Sequence, residues 1–335
     1  MRVLVTGGAG YIGSHTCVEL LEAGHEVFVL DNLCNGHEAA LERIQGISNC
    51  ELQFMNADIR DGSALDKIFN TFKPNAVIHF AGLKAVGESV VDPISYYDVN
   101  VGGSISLLTA MSKAECDMIV FSSSATVYGK PRYLPYDEEH PTDPVNPYGR
   151  TKLMIENMIH DWTKVNAKRQ GTILRYFNPV GAHESGQIGE EPNGVPNNLM
   201  PYIAQVAIGR RETLNIFGND YDTSDGTGER DYIHVVDLAN AHMKALHAQS
   251  IIKPFEILNI GCGLGVTVLE LIKAFEKISG VSIKYQFASR RKGDLPKFWA
   301  DTSHASNLID WKPKFNIEKM CEDTWRWQKS NLNGY

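Results

Sequence analysis

Three absences narrow the class of this 335-residue chain. No apolar run approaches the roughly 18 residues of a membrane-spanning helix, so we expect neither a membrane span nor a signal peptide. Lysine and arginine form no run, and 40 acidic against 32 basic residues give a net charge of -8, so we expect no nucleic-acid partner. The six cysteines form no Cys-x-x-Cys pair. We therefore expect reduced thiols in a cytoplasmic protein, with no metal site and no disulfide framework.

The composition and the spacing of apolar runs predict a two-domain α/β protein. The chain is 43% hydrophobic, and its 335 residues exceed the ~250 at which single cores stop growing. Short, almost wholly apolar runs alternate with helical stretches, which is typical of parallel strands covered on both faces. The predicted strands are residues 3–5, 27–30, 52–55, 76–80, 118–121 and 172–174. We predict a Rossmann-type doubly wound parallel sheet in residues 1–179 and a smaller mixed α/β domain in residues 180–335, because glycine and proline become frequent after Pro179.

A glycine-rich turn follows the first predicted strand and leads into a helical stretch. Residues 7–13 read Gly-Gly-Ala-Gly-Tyr-Ile-Gly. Glycines keep such a turn tight, let the backbone approach a pyrophosphate, and let the helix start direct its N–H groups at the anion. We interpret the turn as a dinucleotide-binding fingerprint. The residues expected to contact the cofactor are Gly7, Gly10, Tyr11, Ile12 and Gly13. The alternative is a turn that binds no ligand.

Asp31 ends the second predicted strand, eighteen residues after Gly13. A carboxylate there accepts hydrogen bonds from both ribose hydroxyls and repels a 2′-phosphate, which favours NAD over NADP. The alternative is that Asp31 only forms the turn after the strand. Asp58 and Ile59 follow the third strand and are predicted to flank the adenine, although an acid at that place also serves as a helix cap.

Tyr148 and Lys152 form a second candidate site together with the serines that end the fifth predicted strand. Four residues apart on a helix, the two side chains share one face. Lowering the pKa of a tyrosine from ~10 to near 7 requires about 4 kcal/mol, which one unit charge at ~4 Å and an effective dielectric near 20 supplies. A positive nicotinamide ring acts in the same direction. Ser124 is then expected to hold a substrate hydroxyl or relay its proton. Each signal is weak alone, and their order after the fingerprint strengthens them.

Several strings give the chain a family resemblance. The fingerprint, Tyr148-x-x-x-Lys152 and Arg-Asp-Tyr-Ile-His-Val at residues 230–235 resemble the extended short-chain dehydrogenases/reductases that act on sugar nucleotides. Longer strings at residues 79–89, 175–182, 196–201 and 216–221 resemble the UDP-galactose 4-epimerases, over essentially the whole chain. The resemblance implies an NAD-dependent isomerase of galactose metabolism. It would invert C4 of UDP-galactose and UDP-glucose reversibly, through a transient 4-keto sugar and with tightly bound NAD that is regenerated in each turnover.

The resemblance also implies which further residues contact the cofactor and the substrate. The further cofactor contacts are Asn32, Asn35, Phe80, Ala81, Gly82, Lys84, Asn100, Ser122, Tyr176 and Phe177, in addition to Tyr148 and Lys152. Asn100 is the candidate amide because Val99 stands where some relatives have asparagine. Arg230 and Arg291 would grip the diphosphate, Asp294 would bind the uridine ribose, and Phe217 would pack near the base. The other substrate contacts are Lys84, Ser124, Tyr148, Asn178, Asn198, Leu199 and Phe298.

Two positions bear on the reaction. Relatives that are 4,6-dehydratases carry an Asp-Glu pair directly after the active-site hydroxyl residue, where this chain has Ala125 and Thr126, which argues against elimination of water. Phe298 is expected to line the sugar pocket and to exclude N-acetylated sugars, because relatives limited to plain hexoses carry a bulky tyrosine there. The alternative is that Phe298 is a core aromatic beside Trp299.

Rival functions and the oligomeric state complete the expectations. Net oxidation or decarboxylation of a nucleotide sugar is a second enzymatic possibility. An NAD-sensing protein without chemistry is a third, and intact Tyr148 and Lys152 argue against it. The segments 96–112 and 148–162 carry more apolar residues than one sheet face requires, and relatives pair such helices, so we predict a homodimer.

Overall fold

The structure, a computed structural model, describes residues 1–249, 251–291 and 294–335. Its strands are β1 (Arg2–Thr6), β2 (Glu26–Asp31), β3 (Gln53–Asn56), β4 (Ala76–His79), β5 (Met118–Ser122), β6 (Gln170–Tyr176), β7 (Asn178–Val180), β8 (Leu214–Phe217), β9 (Glu229–Arg230), β10 (Tyr232–His234), β11 (Phe255–Ile260), β12 (Val266–Thr267), β13 (Tyr285–Ala288) and β14 (Lys297–Phe298). Its α-helices are α1 (Tyr11–Glu22), α2 (Glu38–Ser48), α3 (Gly62–Thr71), α4 (Val86–Val91), α5 (Pro93–Tyr96), α6 (Gly103–Lys113), α7 (Pro147–Lys164), α8 (Leu199–Ala207), α9 (Val235–Ala248), α10 (Val268–Ser279), α11 (Ser303–Ile309) and α12 (Ile317–Ser330). A π-helical stretch, Tyr97–Gly102, joins α5 to α6, and a 3₁₀ turn covers Ala125–Val127.

The largest sheet has seven strands, all parallel, in the order β11-β6-β5-β4-β1-β2-β3. The chain runs from β1 outward to β3 and then returns to β4 on the other side of β1. In an open sheet of this kind ligands bind at the carboxyl edge, beside such a reversal of strand order. The predicted Rossmann-type doubly wound fold is confirmed.

Helices cover both faces of this sheet, which explains why its strands are nearly continuous in apolar residues. Val3 and Val5 of β1 face one core, which contains side chains of α1 and α9. Leu4 faces the other core, which contains side chains of α3, α6 and α7. A strand that is buried on both sides has no polar face to produce an alternating pattern.

Each of the six predicted strands overlaps an observed one, but the seventh strand was missed. It is β11, which pairs with β6 although it lies beyond the predicted boundary at residue 179. Glu256 and Asn259 interrupt its apolar pattern, which hides it from a search for continuous apolar runs. α9 also returns to this part of the molecule and packs against α1. The division into residues 1–179 and 180–335 stays a prediction, and the large sheet itself crosses it.

The later elements surround a separate core that includes Ile203, Phe275 and Met320. Their sheets are short: β7 pairs with β10, β9 lies between β12 and β14, and β8 pairs with β13. The pairing of β14 with β9 sets Phe298 opposite Arg230. Within the residues described, no helix has both the length and the apolar character needed to cross a bilayer.

Candidate active site

The glycines at residues 7–13, in the turn after β1 and the first turn of α1, are needed for two different physical reasons. Gly7 has a φ of +75°, and a Cβ on it would lie 2.7 Å from the amide nitrogen of Ala81. A Cβ on Gly13 would lie 2.2 Å from the carbonyl oxygen of Gly7. Packing within the protein therefore requires both glycines. A Cβ on Gly10 would meet only that same carbonyl oxygen, at 3.3 Å, so the backbone there is open to a ligand.

The first turn of α1 follows directly and offers an anion site. Among the described residues, no side chain caps this helix at Gly10. An uncapped helix start presents backbone N–H groups and the positive end of the helix dipole. The Tyr11 hydroxyl donates to the carbonyl oxygen of Gly181 at 2.7 Å, which links this turn to the residues after β7. Ile12, the second residue of α1, packs against the core that contains Val3 and Val5.

Asp31 lies buried at the end of β2 and already bonds the backbone around it. One carboxylate oxygen accepts from the amide of Ala9 at 3.0 Å and the other from the amide of Leu33 at 2.8 Å. Burial raises the pKa of this carboxyl, and the two amides oppose the rise. Because each oxygen keeps a lone pair, the turn-forming and ribose-binding interpretations are compatible. Asn35 is exposed in the loop after β2.

Asp58 is held by charged and polar neighbours. Hydrogen bonds from the Arg60 guanidinium, at 2.8 Å to each carboxylate oxygen, hold the pKa of Asp58 well below its usual range. The Asn32 amide donates to the same carboxylate at 3.0 Å. Asp61, not Asp58, caps α3, so the helix-cap alternative for Asp58 is wrong. Ile59 is buried beside it.

The segment after β4 crosses the glycine-rich turn. The amide of Ala81, which follows Phe80, donates to the carbonyl oxygen of Thr6 at 3.1 Å. Gly82 has a φ of +155°, and a Cβ on it would lie 2.9 Å from the side-chain oxygen of Asn100. This close approach explains the glycine.

Asn100 is buried and fixes the loop that carries Lys84. Its amide oxygen accepts from the amide of Leu83 at 2.7 Å, and its NH₂ group donates to the carbonyl oxygen of Leu83 at 3.1 Å and to the Thr151 hydroxyl at 3.0 Å. The polar atoms of the side chain are therefore engaged within the protein. The position predicted for a cofactor-binding amide joins the loop after β4 to α7.

The structure brings together Tyr148, Lys152 and the serines at the end of β5. Both helical residues lie on the buried face of α7. The Lys152 ammonium donates to the carbonyl oxygen of Ser122 at 2.8 Å and lies 5.8 Å from the centroid of the Tyr148 ring. The Ser124 hydroxyl favours the ionised form of Tyr148 and so opposes the rise of its pKa.

Burial dominates the electrostatics of this pair. It raises the pKa of Tyr148 above the ordinary value near 10, Tyr176 adds to the rise, and Ser124 opposes it. Burial lowers the pKa of Lys152 to about 8, and the Glu156 carboxylate opposes that change. The groups of the chain alone therefore do not activate the tyrosine. A pKa near 7 for Tyr148 needs further positive charge at the site, such as the charge of a bound nicotinamide ring.

A buried ion pair lies one helical turn beyond Lys152 on α7, and it was not predicted from the sequence. Glu156, one helical turn further along α7, accepts three hydrogen bonds from the Arg175 guanidinium of β6, two from Nε at 3.1 Å and 3.3 Å and one from Nη2 at 2.7 Å. The Ser123 hydroxyl, between the two serines named above, also donates to Glu156. A signal was present, since Glu156 follows Lys152 by four residues and an acid on the buried face of a helix requires a partner.

The second group of predicted residues gathers around β9. The Arg230 guanidinium lies 3.4 Å from a carboxylate oxygen of Asp294, and both side chains are partly exposed. The Arg291 guanidinium lies over the Phe217 ring, 3.9 Å from its centroid. These pairs place two cations, a carboxylate and an aromatic face near one another.

Phe298 is neither a free surface residue nor a fully buried core aromatic. It is partly buried, and its ring centroid lies 4.9 Å from that of Tyr136 and 5.0 Å from that of Phe177. The aromatic neighbours belong to a small cluster with Tyr128. Because Phe177 directly follows β6, this contact joins the second group to the carboxyl edge of the large sheet.

Glu190 provides a second link between the predicted cofactor residues and the predicted substrate residues. Its carboxylate lies 3.4 Å from the Lys84 ammonium and accepts from the Asn198 amide at 2.7 Å. Asn198 precedes α8, which begins at Leu199. Asn178 begins β7, opposite Tyr232 of β10. Glu190 therefore joins Lys84, a predicted cofactor contact, to Asn198, a predicted substrate contact.

The fold and this arrangement define a class. An open glycine turn, a carboxylate ending β2, and a Tyr-Lys pair beside a serine on a doubly wound sheet are the features of an extended short-chain dehydrogenase/reductase. The glycine turn and Asp31 can also hold a dinucleotide, since the backbone at Gly10 is open and the Asp31 oxygens retain acceptor capacity.

Comparisons with known proteins specify the family. The family model described as GDP-mannose 4,6 dehydratase matches residues 4–324. A UDP-glucose 4-epimerase from Bacillus subtilis is 54% identical over 335 residues, which cover 100% of this chain and 99% of that protein. A crystal structure of UDP-glucose-4-epimerase from Stenotrophomonas maltophila with bound NAD and formylated UDP-arabinopyranose has a TM-score of 0.97 and 48% identity, over 99% of each chain. The Bifidobacterium longum enzyme in complex with NAD+ and UDP has a TM-score of 0.97 and 46% identity, over 100% of each chain. The chain belongs to the UDP-glucose 4-epimerase family, and the resemblance seen in the sequence is confirmed.

Proposed function

We propose that this chain is an NAD-dependent UDP-glucose 4-epimerase that interconverts UDP-galactose and UDP-glucose in galactose metabolism. The observation that carries the proposal is that Tyr148 and Lys152 share the buried face of α7, with the Lys152 ammonium bonded to the serine that ends β5. In this proposal Ser124 positions the 4-hydroxyl of the sugar, and Tyr148 accepts its proton and later returns it. Lys152 supplies positive charge beside the tyrosine. NAD, when bound, would supply an acceptor for the hydride of C4 and a hydride donor to the opposite face of the sugar.

The residues around the turn would hold the cofactor. The backbone at Gly10 and the start of α1 would bind the pyrophosphate, and Asp31 would accept hydrogen bonds from the adenosine ribose. Asn32, Asn35, Asp58 and Ile59 lie at the adenine end. The other proposed contacts are Gly7, Tyr11, Ile12, Gly13, Phe80, Ala81, Gly82, Lys84, Ser122, Tyr176 and Phe177. We assign Asn100 a positioning role instead, because its amide is engaged within the protein.

The residues around β9 would hold the UDP group. Arg230 and Arg291 would bind the diphosphate, Asp294 the uridine ribose, and Phe217 the base. Asn178, Asn198, Leu199 and Phe298 would line the remainder of the cleft. Inversion requires that the 4-keto sugar turn over between the two hydride transfers. The diphosphate must therefore be held firmly while the sugar is held loosely.

Dehydration, the reaction named by the matching family model, is not favoured by the site. The two residues that follow Ser124 carry no carboxylate: Ala125 is buried, and the Thr126 hydroxyl donates to the Ser124 hydroxyl at 3.0 Å. No acid and base stand at that point to remove water from the sugar.

A homodimer and a cytoplasmic location complete the proposal. Large apolar side chains are exposed on the helices that include or flank the predicted pairing segments. Val91 is 86% exposed, Ile94 74%, Ile105 52% and Met154 45%. A second copy that packs on these helices would cover these side chains. The six cysteines are free thiols, which agrees with a reducing compartment.

The decisive experiment is to incubate the purified protein with UDP-galactose, assay for UDP-glucose, and follow the absorbance of reduced nicotinamide. Epimerisation produces UDP-glucose with no net reduction of the cofactor. Accumulating NADH would indicate net oxidation, released carbon dioxide would indicate decarboxylation, and a 4-keto-6-deoxy product would indicate dehydration. Any of those results in place of UDP-glucose would overturn the proposal.

A further inference from the structure

Glu156 lies at the centre of a buried group of polar side chains that the proposed mechanism does not use. It is 2% exposed, and Arg175, its partner on β6, is 4% exposed. An ion pair removed from water in this way seldom stabilises a fold more than apolar side chains of the same size would. Its position next to the proposed catalytic residues calls for another explanation.

The Glu156 carboxylate connects the three pieces of backbone that build the site. It belongs to α7, as do Tyr148 and Lys152. Arg175 bonds it from β6. The hydroxyl of Ser123 bonds it from the segment after β5, between Ser122, whose carbonyl oxygen accepts from Lys152, and Ser124.

The charges along this line alternate. The Lys152 cation is followed by the Glu156 anion and then by the Arg175 cation, which lies over the Tyr128 ring at 4.9 Å. In a buried site such charges interact strongly, because little water screens them. Removing the anion would leave the buried Arg175 cation without its ion-pair partner and the Lys152 cation without a neighbouring carboxylate.

We propose that Glu156 is a positioning residue for the epimerase reaction: its carboxylate keeps Lys152 in the cationic form that Tyr148 needs, and its bond to Ser123 holds Ser124 in place. This inference rests on the proposed function.

The other titratable groups around Lys152 do not replace Glu156. His79 on β4 and His242 on α9 are buried, and burial together with the Lys152 charge lowers their pKa values to about 3 and about 4. They are therefore neutral over the working range of pH. Burial raises the pKa values of Tyr148 and of Tyr176 at the end of β6, so in the chain alone neither supplies an anion near neutral pH.

The sign of the effect follows from the state of Lys152. Burial lowers its pKa to about 8 and the Glu156 carboxylate raises it, so loss of that carboxylate lowers it further. Activity that needs cationic Lys152 is lost as the pH rises through this pKa. The alkaline limb of the kcat profile should therefore move to lower pH in Glu156→Gln, by about one unit or more, and kcat at pH 8 should fall about fivefold or more.

Arg175→Met tests the reverse sign. It removes the outer cation and leaves Ser123 and the Lys152 cation beside Glu156, so as long as Glu156 is ionised the alkaline limb should move to higher pH. Glu156→Asp should reduce kcat and leave the limb near its wild-type pH, because the charge remains. The matched control is Asp161→Asn, which removes a carboxylate from the same helix whose side chain is 79% exposed, and which should change neither quantity.

A readout that does not depend on turnover is an NMR titration of the Lys152 side chain in lysine-labelled protein, assigned with Lys152→Arg. The Lys152 pKa should fall in Glu156→Gln and rise in Arg175→Met. Equal losses of kcat at every pH in both variants, with an unchanged Lys152 pKa, would show a purely structural role and overturn the inference. If Glu156→Gln does not fold, Arg175→Met still decides by the direction of its shift. If wild type makes no UDP-glucose, the proposed function fails, whereas an active wild type with unshifted variants refutes only this inference.

Discussion

Replacement of Phe298 by cysteine should admit N-acetylated sugars. The ring of Phe298 packs at 4.9 Å and 5.0 Å from Tyr136 and Phe177, measured between ring centroids. Both neighbours are held by other contacts. The Tyr136 hydroxyl donates to the carbonyl oxygen of Gly129 at 2.9 Å, and Phe177 is buried. Tyr136 and Phe177 should therefore stay in place. Removal of the Phe298 ring should then leave open space, because its neighbours do not move in to fill it.

The magnitude follows from the size of the clash. An acetamido group that must displace a packed ring costs roughly 1–3 kcal/mol, or about ten- to hundredfold in kcat/KM. Because Phe298 is only partly buried, its loss should destabilise the fold by about 1–2 kcal/mol, less than a fully buried phenylalanine would. Phenylalanine lacks the hydroxyl of the tyrosine found in relatives, so one hydrogen bond to the sugar, worth on the order of 1 kcal/mol, is also absent.

The assay compares kcat/KM for UDP-galactose and UDP-N-acetylgalactosamine in wild type and Phe298→Cys. Wild type should prefer the plain hexose, and the variant should gain on the acetylated sugar. Phe298→Tyr keeps the bulk and should keep the preference. Phe287→Cys makes the same replacement at a 47% exposed position of β13 and controls for the new thiol. Equal kcat/KM values for the two sugars in wild type, or no gain on the acetylated sugar in Phe298→Cys, would show that Phe298 does not exclude N-acetylated sugars.

Four further outcomes test the remaining assignments. Tyr148→Phe should retain NAD and lose turnover, since the ring still packs while the proton acceptor is gone; a variant that keeps a tenth of wild-type kcat would show that the base is misassigned. Lys152→Ala should move the acidic limb of the kcat profile to higher pH, because Tyr148 must lose its proton and its pKa rises without the nearby cation. An unshifted limb would show that Lys152 does not lower the pKa of Tyr148. Asp31→Ser should weaken retention of NAD and improve that of NADP, measured by equilibrium binding, because the repulsion of a 2′-phosphate is removed; an unchanged preference would contradict the ribose assignment. Sedimentation at micromolar concentration should show a dimer, and a single species of 37.2 kDa would refute it.

The sequence predicted the family and the large sheet because both depend on local signals. Apolar runs of a buried parallel strand, and a glycine turn between strand and helix, are visible in a few consecutive residues. The Tyr148–Lys152 spacing likewise places two side chains on one helix face without any knowledge of the fold. The family and the enzyme class predicted from these strings are confirmed by the comparisons.

The missed features depend on contacts between distant parts of the chain. β11 joins the sheet through its pairing with β6, which no local pattern reports. The partner of Glu156 is nineteen residues away on a strand. The rise in the pKa of Tyr148 caused by burial was also not predicted. A sequence shows which charges are near a tyrosine along a helix, but not how little water reaches it.

The Arg-Asp-Tyr string shows how one residue type can be recognised before its physical reason is known. Asp231 is fully buried, and its carboxylate accepts from the amides of Cys262, Gly263 and Ala300 at 2.7 Å, 2.9 Å and 3.1 Å. Two of these amides follow β11 of the large sheet, and the third follows β14. Because Asp231 comes directly after Arg230, it anchors the proposed diphosphate-binding arginine to the sheet that carries the proposed catalytic residues. Burial raises its pKa to about 6 while the three amides oppose the rise, so the anchor is charged at neutral pH and bonded by three donors. Asparagine would offer one acceptor oxygen in place of two and could not satisfy the same set. An aspartate is therefore required at this position even though it touches neither the cofactor nor the sugar in the proposed arrangement.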